Sequence, residues 1–125
     1  MSIRNNSKRR GISYSEDGGA TWSAPTNCDA LPDPGCQGSI LTAKILDNTI
    51  VISCNASNAT SRINLTLKAS TDDGITWSDG YVVNAGFSAY SDILMLKSGE
   101  IGVLYENGSS SNYDRISFVS VNTNF

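Results

Sequence analysis

An eight-residue pattern occurs twice in this chain, at residues 15–22 (SEDGGATW) and at residues 70–77 (STDDGITW). Five of the eight positions are identical, in the form S-x-D-x-G-x-T-W, and the two copies begin 55 residues apart. The Asp of such a pattern can accept hydrogen bonds from nearby backbone N–H groups, and the Gly supplies a backbone position with φ > 0. Thr and Trp favour a strand after the turn. Each copy therefore predicts a structural hairpin turn in a repeating β architecture, not a catalytic site. The residues assigned to these turns are Asp17, Gly19, Trp22, Asp72, Gly74 and Trp77.

Composition narrows the class of protein further. The chain has 125 residues, 39% of them hydrophobic and 17% charged, which fits one globular domain at most and argues against disorder. The net charge is −3 with nine Lys and Arg residues, so there is no basic excess that would suggest a nucleic-acid partner. No apolar run approaches the roughly 18 residues of a membrane-spanning segment.

Histidine is absent from the sequence. Nucleophile systems of the Ser-His-Asp and Cys-His types and most zinc sites are therefore excluded. Any catalysis must use carboxylates, Tyr, Lys, Arg or Cys. The three cysteines, Cys28, Cys36 and Cys54, cannot all pair with one another, and their spacing fits no metal motif, so buried thiols are the favoured interpretation.

Strand signals recur at short intervals along the chain, with turn residues between them. The predicted strands are residues 10–15, 21–25, 39–46, 49–54, 63–70, 76–83, 90–96, 101–105 and 115–121. A loop rich in Pro, Asp and Gly is expected at residues 31–35, and a hairpin turn at residues 97–100. No segment carries a helical stripe, so the chain is expected to be all-β.

From one turn pattern to the next, the order of elements is strand, strand, strand, turn, strand. This order is that of a four-stranded antiparallel propeller blade. The sequence then predicts the end of one blade (residues 8–26), a full blade (39–83) and a partial blade (88–122), or about two and a half blades. Because a propeller has four to eight blades, we expect further N-terminal blades in the protein to which this sequence belongs.

Several stretches outside the repeated turns add a more specific signal. They are Arg4 in IRNNS, Gln37 in GCQGS, Arg62 in SRINL, Tyr90 in AYSDI and Glu106 in GVLYE. The repeated turn is the Asp-box, or BNR repeat, and with these stretches the chain resembles the sialidase (neuraminidase) superfamily of six-bladed β-propellers. The order and spacing of the motifs agree over essentially the whole chain.

The resemblance implies a role for each of these residues. Arg4 and Arg62 match two members of the arginine triad that holds the carboxylate of sialic acid, and Gln37 matches a residue lining the substrate pocket. Tyr90 matches the nucleophile, and Glu106 a carboxylate that supports the triad. Guanidinium groups suit a carboxylate because they bind it through two parallel hydrogen bonds. A neutral Tyr nucleophile, the known sialidase exception among glycosidases, avoids a second negative charge beside that carboxylate.

The expected activity is that of an exo-α-sialidase, which releases terminal sialic acid from glycoconjugates with retention through a tyrosyl intermediate. The implied partner is a sialylated glycoconjugate, and the chemistry requires no metal or other cofactor. The family's first triad arginine, its general-acid Asp and the Glu that activates the Tyr have no counterpart here. The isolated chain is therefore expected to be inactive. The resemblance favours an extracellular, periplasmic or lysosomal compartment over the cytoplasm.

Two alternatives remain open at this stage. A trans-sialidase would share every residue named above, and a non-catalytic Asp-box propeller would serve as a carbohydrate-binding module. If the chain is part of a sialidase, Arg4, Arg62 and Tyr90 should converge at one end of the blades. Asp17 and Asp72 should then lie at the outer rim. Of the remaining residues, Arg9 and Arg10 are expected in a strand or at its solvent edge, and Tyr81, Tyr105 and Tyr113 as strand aromatics.

Overall fold

A computed structural model of the chain describes residues 1–45 and 47–123. Its strands are β1 (Ser2–Ile3), β2 (Arg9–Ile12), β3 (Thr26–Pro32), β4 (Ser39–Ile45), β5 (Asn48–Ala56), β6 (Ile63–Ser70), β7 (Tyr81–Met95), β8 (Ile101–Asn107) and β9 (Arg115–Val121). All regular structure in these two ranges is β, as the sequence predicts. In the same ranges, no helix is long and apolar enough to cross a membrane.

The strands form two antiparallel sheets, one of order β1-β2-β3 and one of order β4-β5-β6-β7-β8-β9. Strand β7 belongs to two sets of pairings. Its first part pairs with β6 as far as Phe87, and its second part pairs with β8 from Ser88 onward. One long strand thus ends a group of four strands and begins the next group. This arrangement is that of consecutive blades in part of a β-propeller, whereas the bounds of each blade remain a prediction.

The core lies between the two halves of the larger sheet. It is formed by apolar side chains from all six strands, namely Ala43, Ile52, Cys54, Leu65, Leu67, Ile93, Ile101, Val103 and Val121. Leu65 and Leu67 lie two positions apart on β6, so their side chains share one face of the sheet, and both are fully buried. Burial of one such side chain stabilises the folded state by about 1.5–3 kcal/mol relative to leaving the side chain in water. The packing of these two strand groups fixes the positions at which the loops at their ends emerge.

The strands that follow the two Asp-boxes begin later than predicted. The strand expected at residues 21–25 is instead β3, and the strand expected at residues 76–83 begins only at Tyr81. The reason is that Thr and Trp of each box bond back into their own turn, as Thr21 N–H does to Asp17 Oδ1 at 2.8 Å. These residues are therefore part of the turn and do not pair with a strand.

Other predicted boundaries differ by smaller amounts. The first predicted strand ends at Ile12 rather than at residue 15. The first two residues of the loop expected at residues 31–35 belong to β3. The separate strands expected at residues 76–83 and 90–96 are joined in β7. The end of the strand predicted at residues 39–46 falls on Leu46, which lies outside the described residues.

The predicted hairpin turn between β7 and β8 is confirmed. The N–H of Leu96 donates to the carbonyl of Glu100 at 2.8 Å, and that of Gly99 donates to Leu96 at 3.0 Å. Gly99 has φ = 87°, a conformation that glycine adopts without strain.

One face of the last strands is apolar and open to solvent. Its exposed side chains include Leu94, Leu104, Ile116 and Phe118, the last with 58% of its surface accessible. The opposite face of the same strands carries the buried core residues. An apolar sheet face of this kind usually packs against another layer.

Candidate functional site

Tyr90 lies on β7 at an irregular point in its pairing with β8. The register shifts between Ser88 and Ser91, so the backbone around Tyr90 departs from the regular ladder. Such bulges redirect side chains and are frequent beside active sites. The N–H of Tyr90 donates to Oε2 of Glu106 on β8 at 3.1 Å, which fixes the bulge from the neighbouring strand. The side chain of Tyr90 is 43% exposed.

Arg4 reaches this tyrosine from the other sheet. It follows β1 directly, and its Nη1 donates to the phenol oxygen of Tyr90 at 3.3 Å. The two residues are 86 positions apart in the sequence. A full positive charge therefore lies against the oxygen that would act as a nucleophile.

Arg62 approaches the same tyrosine from the start of β6. Its guanidinium carbon is 5.8 Å from the centroid of the Tyr90 ring, within the range of a cation–π contact. Its Nη1 also donates to the phenol oxygen of Tyr113 at 2.6 Å. The structure thus brings Arg4, Arg62 and Tyr90 together, as the resemblance to sialidases predicts.

Gln37 joins the loop after β3 to the strand that carries Tyr90. Its amide Nε2 donates to the carbonyl of Ser91 at 3.0 Å, and its Oε1 accepts from the N–H of Ser91 at 2.9 Å. Gln37 also lines a cavity of about 280 Å³ together with Tyr90, Ser91 and Glu106. Since the nitrogen and the oxygen of its side-chain amide both bond to β7, Gln37 forms part of the wall of the site. Contact with substrate remains a prediction for this residue.

The carboxylates of the two Asp-boxes are held inside their own turns. Thr76 donates to Asp72 through its hydroxyl at 2.5 Å and through its N–H at 2.8 Å, and Ser70 Oγ donates to the same carboxylate at 2.7 Å. Asp17 has the matching bonds from Thr21 and Ser15. The Thr hydroxyl is the largest contributor, and with the other bonds it lowers the pKa of each carboxyl to about 2 from 3.8.

The indole of each box closes its turn. Trp22 Nε1 donates to the carbonyl of Gly19 at 3.0 Å, and Trp77 Nε1 donates to that of Gly74 at 3.1 Å. Asp72 follows β6 whereas Arg62 precedes it, so an eight-residue strand separates them. At the usual rise per residue this strand spans roughly 25 Å. The second Asp-box therefore lies at the end of the blade away from Arg62.

Arg10 lies on β2, so the strand position predicted for it is confirmed, and it is buried, with 2% of its surface exposed. Its Nη1 donates to Oδ2 of the buried Asp33 at 3.3 Å and to the carbonyl of Cys36 at 2.7 Å. Asn55 on β5 donates to the same carboxylate oxygen at 3.0 Å. The bond from Asn55 therefore connects this buried ion pair to the large sheet. Arg9, in contrast, is exposed and pairs with Asp29 at 2.7 Å.

Two residues of the site escape the sequence analysis. Tyr113 is not a strand aromatic but lies in the loop between β8 and β9, beside Asn112. Asn112 Nδ2 donates to the carbonyl of Arg62 and, at 3.2 Å, to that of Ser88. The polar loop directly after the strand of Glu106 could have indicated both residues in the sequence, because binding residues concentrate in loops held by a rigid scaffold.

Cys36 and Cys54 behave as packing residues, whereas Cys28 on β3 is only partly buried. Cys36 and Cys54 are fully buried and free. Burial raises the pKa of both thiols, to about 12 for Cys54, which keeps them protonated at neutral pH. In the residues that the structure describes, no group of three or more His, Cys, Asp or Glu residues is arranged to hold a metal ion.

Comparisons with known proteins identify the family of the chain. Residues 1–103 match the family model of the BNR repeat-like domain. A sialidase of Micromonospora viridifaciens is 34% identical over 110 residues, covering 83% of this chain and 17% of the relative. A sialidase of Bacteroides fragilis is 32% identical over 106 residues, covering 78% of this chain and 20% of the relative.

A solved structure supports the fold independently. The NanB sialidase of Streptococcus pneumoniae matches 98% of this chain and 21% of its own, with a TM-score of 0.86 and 24% identity. The chain thus spans about a fifth of the length of the proteins that it matches. On its sequence match and its fold, the chain belongs to the BNR repeat-like domain family, within the sialidase superfamily.

Proposed function

We propose that this chain supplies part of the active site of an exo-α-sialidase. The observation that carries the proposal is the convergence of Arg4 and Arg62 on the exposed phenol of Tyr90. Two guanidinium groups beside one hydroxyl form a site for an anionic substrate that also undergoes nucleophilic attack. The substrate class is a glycoconjugate with a terminal sialic acid, whose anomeric carbon bears a carboxylate.

In the proposed reaction, Arg62 and Arg4 hold the substrate carboxylate. The phenol oxygen of Tyr90 attacks the anomeric carbon, so that a Tyr90–carbon bond forms as the glycosidic carbon–oxygen bond breaks. The phenolic proton passes to a base, and a general acid protonates the leaving oxygen. Water then cleaves the tyrosyl intermediate, and two inversions at the same carbon give net retention.

The remaining catalytic groups belong, in this proposal, to further blades of the same propeller. The first triad arginine, the general acid and the Glu that activates Tyr90 would come from those blades. The exposed apolar face with Leu94, Leu104, Ile116 and Phe118 supports this arrangement, because a neighbouring blade would cover it. The length of the matched sialidases supports it as well.

A covalent trap tests the proposal in the longer protein. When the nucleophile attacks C2 of a sialyl fluoride with a second fluorine at C3, the oxygen–C2 bond forms and the C2 fluoride leaves as an ion, while the C3 fluorine slows hydrolysis of the covalent product. We expect mass spectrometry of the digested enzyme to show one added 3-fluorosialyl group on the peptide with Tyr90. The Tyr90→Phe variant is the matched control and should remain unlabelled. A label on another residue of an active enzyme would show that Tyr90 is not the nucleophile.

A further inference from the structure

The loop between β8 and β9, residues 108–114, is held in shape by its own last residue. Oδ2 of Asp114 accepts the backbone N–H groups of Ser109 at 2.9 Å, Ser110 at 2.9 Å and Ser111 at 3.2 Å. At the base of the loop, Arg115 Nε donates to Oδ1 of Asn107 at 2.9 Å. These bonds order a serine-rich segment that has little apolar packing of its own.

This ordered loop presents two consecutive side chains to the site. Asn112 Nδ2 donates to the carbonyls of both Arg62 and Ser88. The N–H of Ser88 also donates to the carbonyl of Arg62, at 2.9 Å. Asn112 therefore connects Arg62, directly before β6, to Ser88 on β7, two positions before Tyr90.

Tyr113 acts on the side chain of Arg62 rather than on its backbone. Its phenol oxygen accepts a hydrogen bond from Nη1 at 2.6 Å, which is short even for a bond from a charged donor. A second bond, from the N–H of Tyr113 to Oγ of Ser111 at 3.0 Å, fixes the residue within the loop. A guanidinium has five N–H donors, so a bond at Nη1 leaves the Nε and Nη2 edge for a bidentate carboxylate.

We propose that Tyr113 and Asn112 are positioning residues for Arg62. Tyr113 sets the plane of the guanidinium, and Asn112 fixes the backbone from which Arg62 extends and aligns it with the strand of Tyr90. The gain for binding is preorganisation, since a long flexible side chain is ordered before the substrate arrives. The carboxylate role of Arg62 rests on the proposed function, whereas the ordering of its side chain does not.

The test uses this chain, with nitrogen-15 NMR of the Arg62 guanidinium and N-acetylneuraminic acid as the probe. Tyr113→Phe keeps the ring and removes only the hydroxyl that bonds to Nη1. We expect rotation about the Nε–Cζ bond of Arg62 to become about three- to tenfold faster, because one charge-assisted bond is lost. We expect the affinity for N-acetylneuraminic acid to fall by a similar factor.

A matched control is Tyr14→Phe, which removes a hydroxyl from another exposed tyrosine, beside the first Asp-box. It should leave both measurements unchanged. A second variant, Asn112→Ala, should speed hydrogen exchange of the Ser88 amide by about threefold or more and shift the Tyr90 amide signal. Unchanged signals from the core strands establish that each variant is folded.

The outcomes separate the two proposals. If rotation of Arg62 is unchanged in Tyr113→Phe, the positioning role is wrong whatever the binding result. The positioning role is also wrong if rotation accelerates in Tyr113→Phe but this variant binds N-acetylneuraminic acid as tightly as the wild-type chain does. If rotation accelerates while the wild-type chain shows no binding of the acid, Tyr113 does order Arg62, and the carboxylate role of Arg62 in this chain fails instead.

Discussion

Arg4 Nη1 lies 3.3 Å from the phenol oxygen of Tyr90, although 86 positions separate the two residues. The contact joins the small N-terminal sheet to the strand shared by the two groups of the large sheet. The guanidinium of Arg62 lies over the ring of the same tyrosine. In the longer sialidase that we propose, changes at Arg4 and Tyr90 should affect activity more than stability, because both residues are exposed.

We expect Arg62→Lys to weaken catalysis strongly in the longer sialidase to which we assign this chain in our proposal. Lysine keeps the charge but loses the planar fork that binds a carboxylate through two hydrogen bonds. We expect a loss of about 2–4 kcal/mol, or roughly 30- to 1,000-fold in kcat/KM. Steady-state hydrolysis of a fluorogenic sialoside measures it. Arg9→Lys, at an exposed arginine paired with Asp29, should have almost no effect, and equal effects would contradict the role of Arg62.

Tyr90→Phe should lower kcat far more than it weakens binding. The ring beneath Arg62 remains, whereas the oxygen that would attack the substrate is lost. If water attacks directly in the variant, the first-formed anomer should change from retained to inverted. Proton NMR during the first turnovers distinguishes the two anomers. An unchanged rate with retained configuration would identify Tyr90 as a packing residue.

The isolated 125-residue chain should have no measurable sialidase turnover. In the proposal above, the general acid, the base for Tyr90 and the first triad arginine come from other blades of the propeller. The measurement is fluorogenic sialoside hydrolysis by the purified chain at high protein concentration. Turnover that disappears in Tyr90→Phe would mean that these functions are supplied by residues within this sequence.

The second Asp-box should make stability depend on acid pH. The pKa of Asp72 is lowered to about 2 in the fold, mainly by the hydroxyl of Thr76, whereas an unfolded Asp titrates near 4. Its stabilising effect is therefore complete above about pH 4 and is lost as the pH falls toward 2. Thermal unfolding of Asp72→Asn should show a lower midpoint at neutral pH, and the difference from wild type should shrink through this window. Asp73→Asn, in the same turn, is the control and should show a smaller difference from wild type.

The buried pair of Arg10 and Asp33 should matter for stability rather than activity. Asp33→Ala leaves the guanidinium of Arg10 buried without its counter-ion, which costs about 3–5 kcal/mol. The exposed pair of Arg9 and Asp29 provides the comparison, and Asp29→Ala should cost about 0–1 kcal/mol. Urea unfolding measures both. Similar values for the two variants would show that burial does not make the Arg10–Asp33 pair more important for stability than an exposed pair.

The sequence alone determined the parts of this protein whose interactions close within a few residues. In each Asp-box the bonds run between positions no more than four apart, as from Thr76 to Asp72, so an eight-residue pattern specifies the whole turn. Strand β6 was predicted with its observed limits, since alternation of apolar residues is also a local signal. The resemblance to sialidases likewise placed Arg4, Arg62 and Tyr90 in one site.

The tertiary structure decided the interactions that cross between strands and sheets. Nothing near Arg10 in the sequence indicates that it pairs with Asp33, 23 positions away, in the interior. The bond from Arg62 to Tyr113 spans 51 positions and depends on how β7 passes from pairing with β6 to pairing with β8. Such contacts follow from packing of the core, which sets the distance between loops that are remote in the chain, and residue spacing carries no record of that distance.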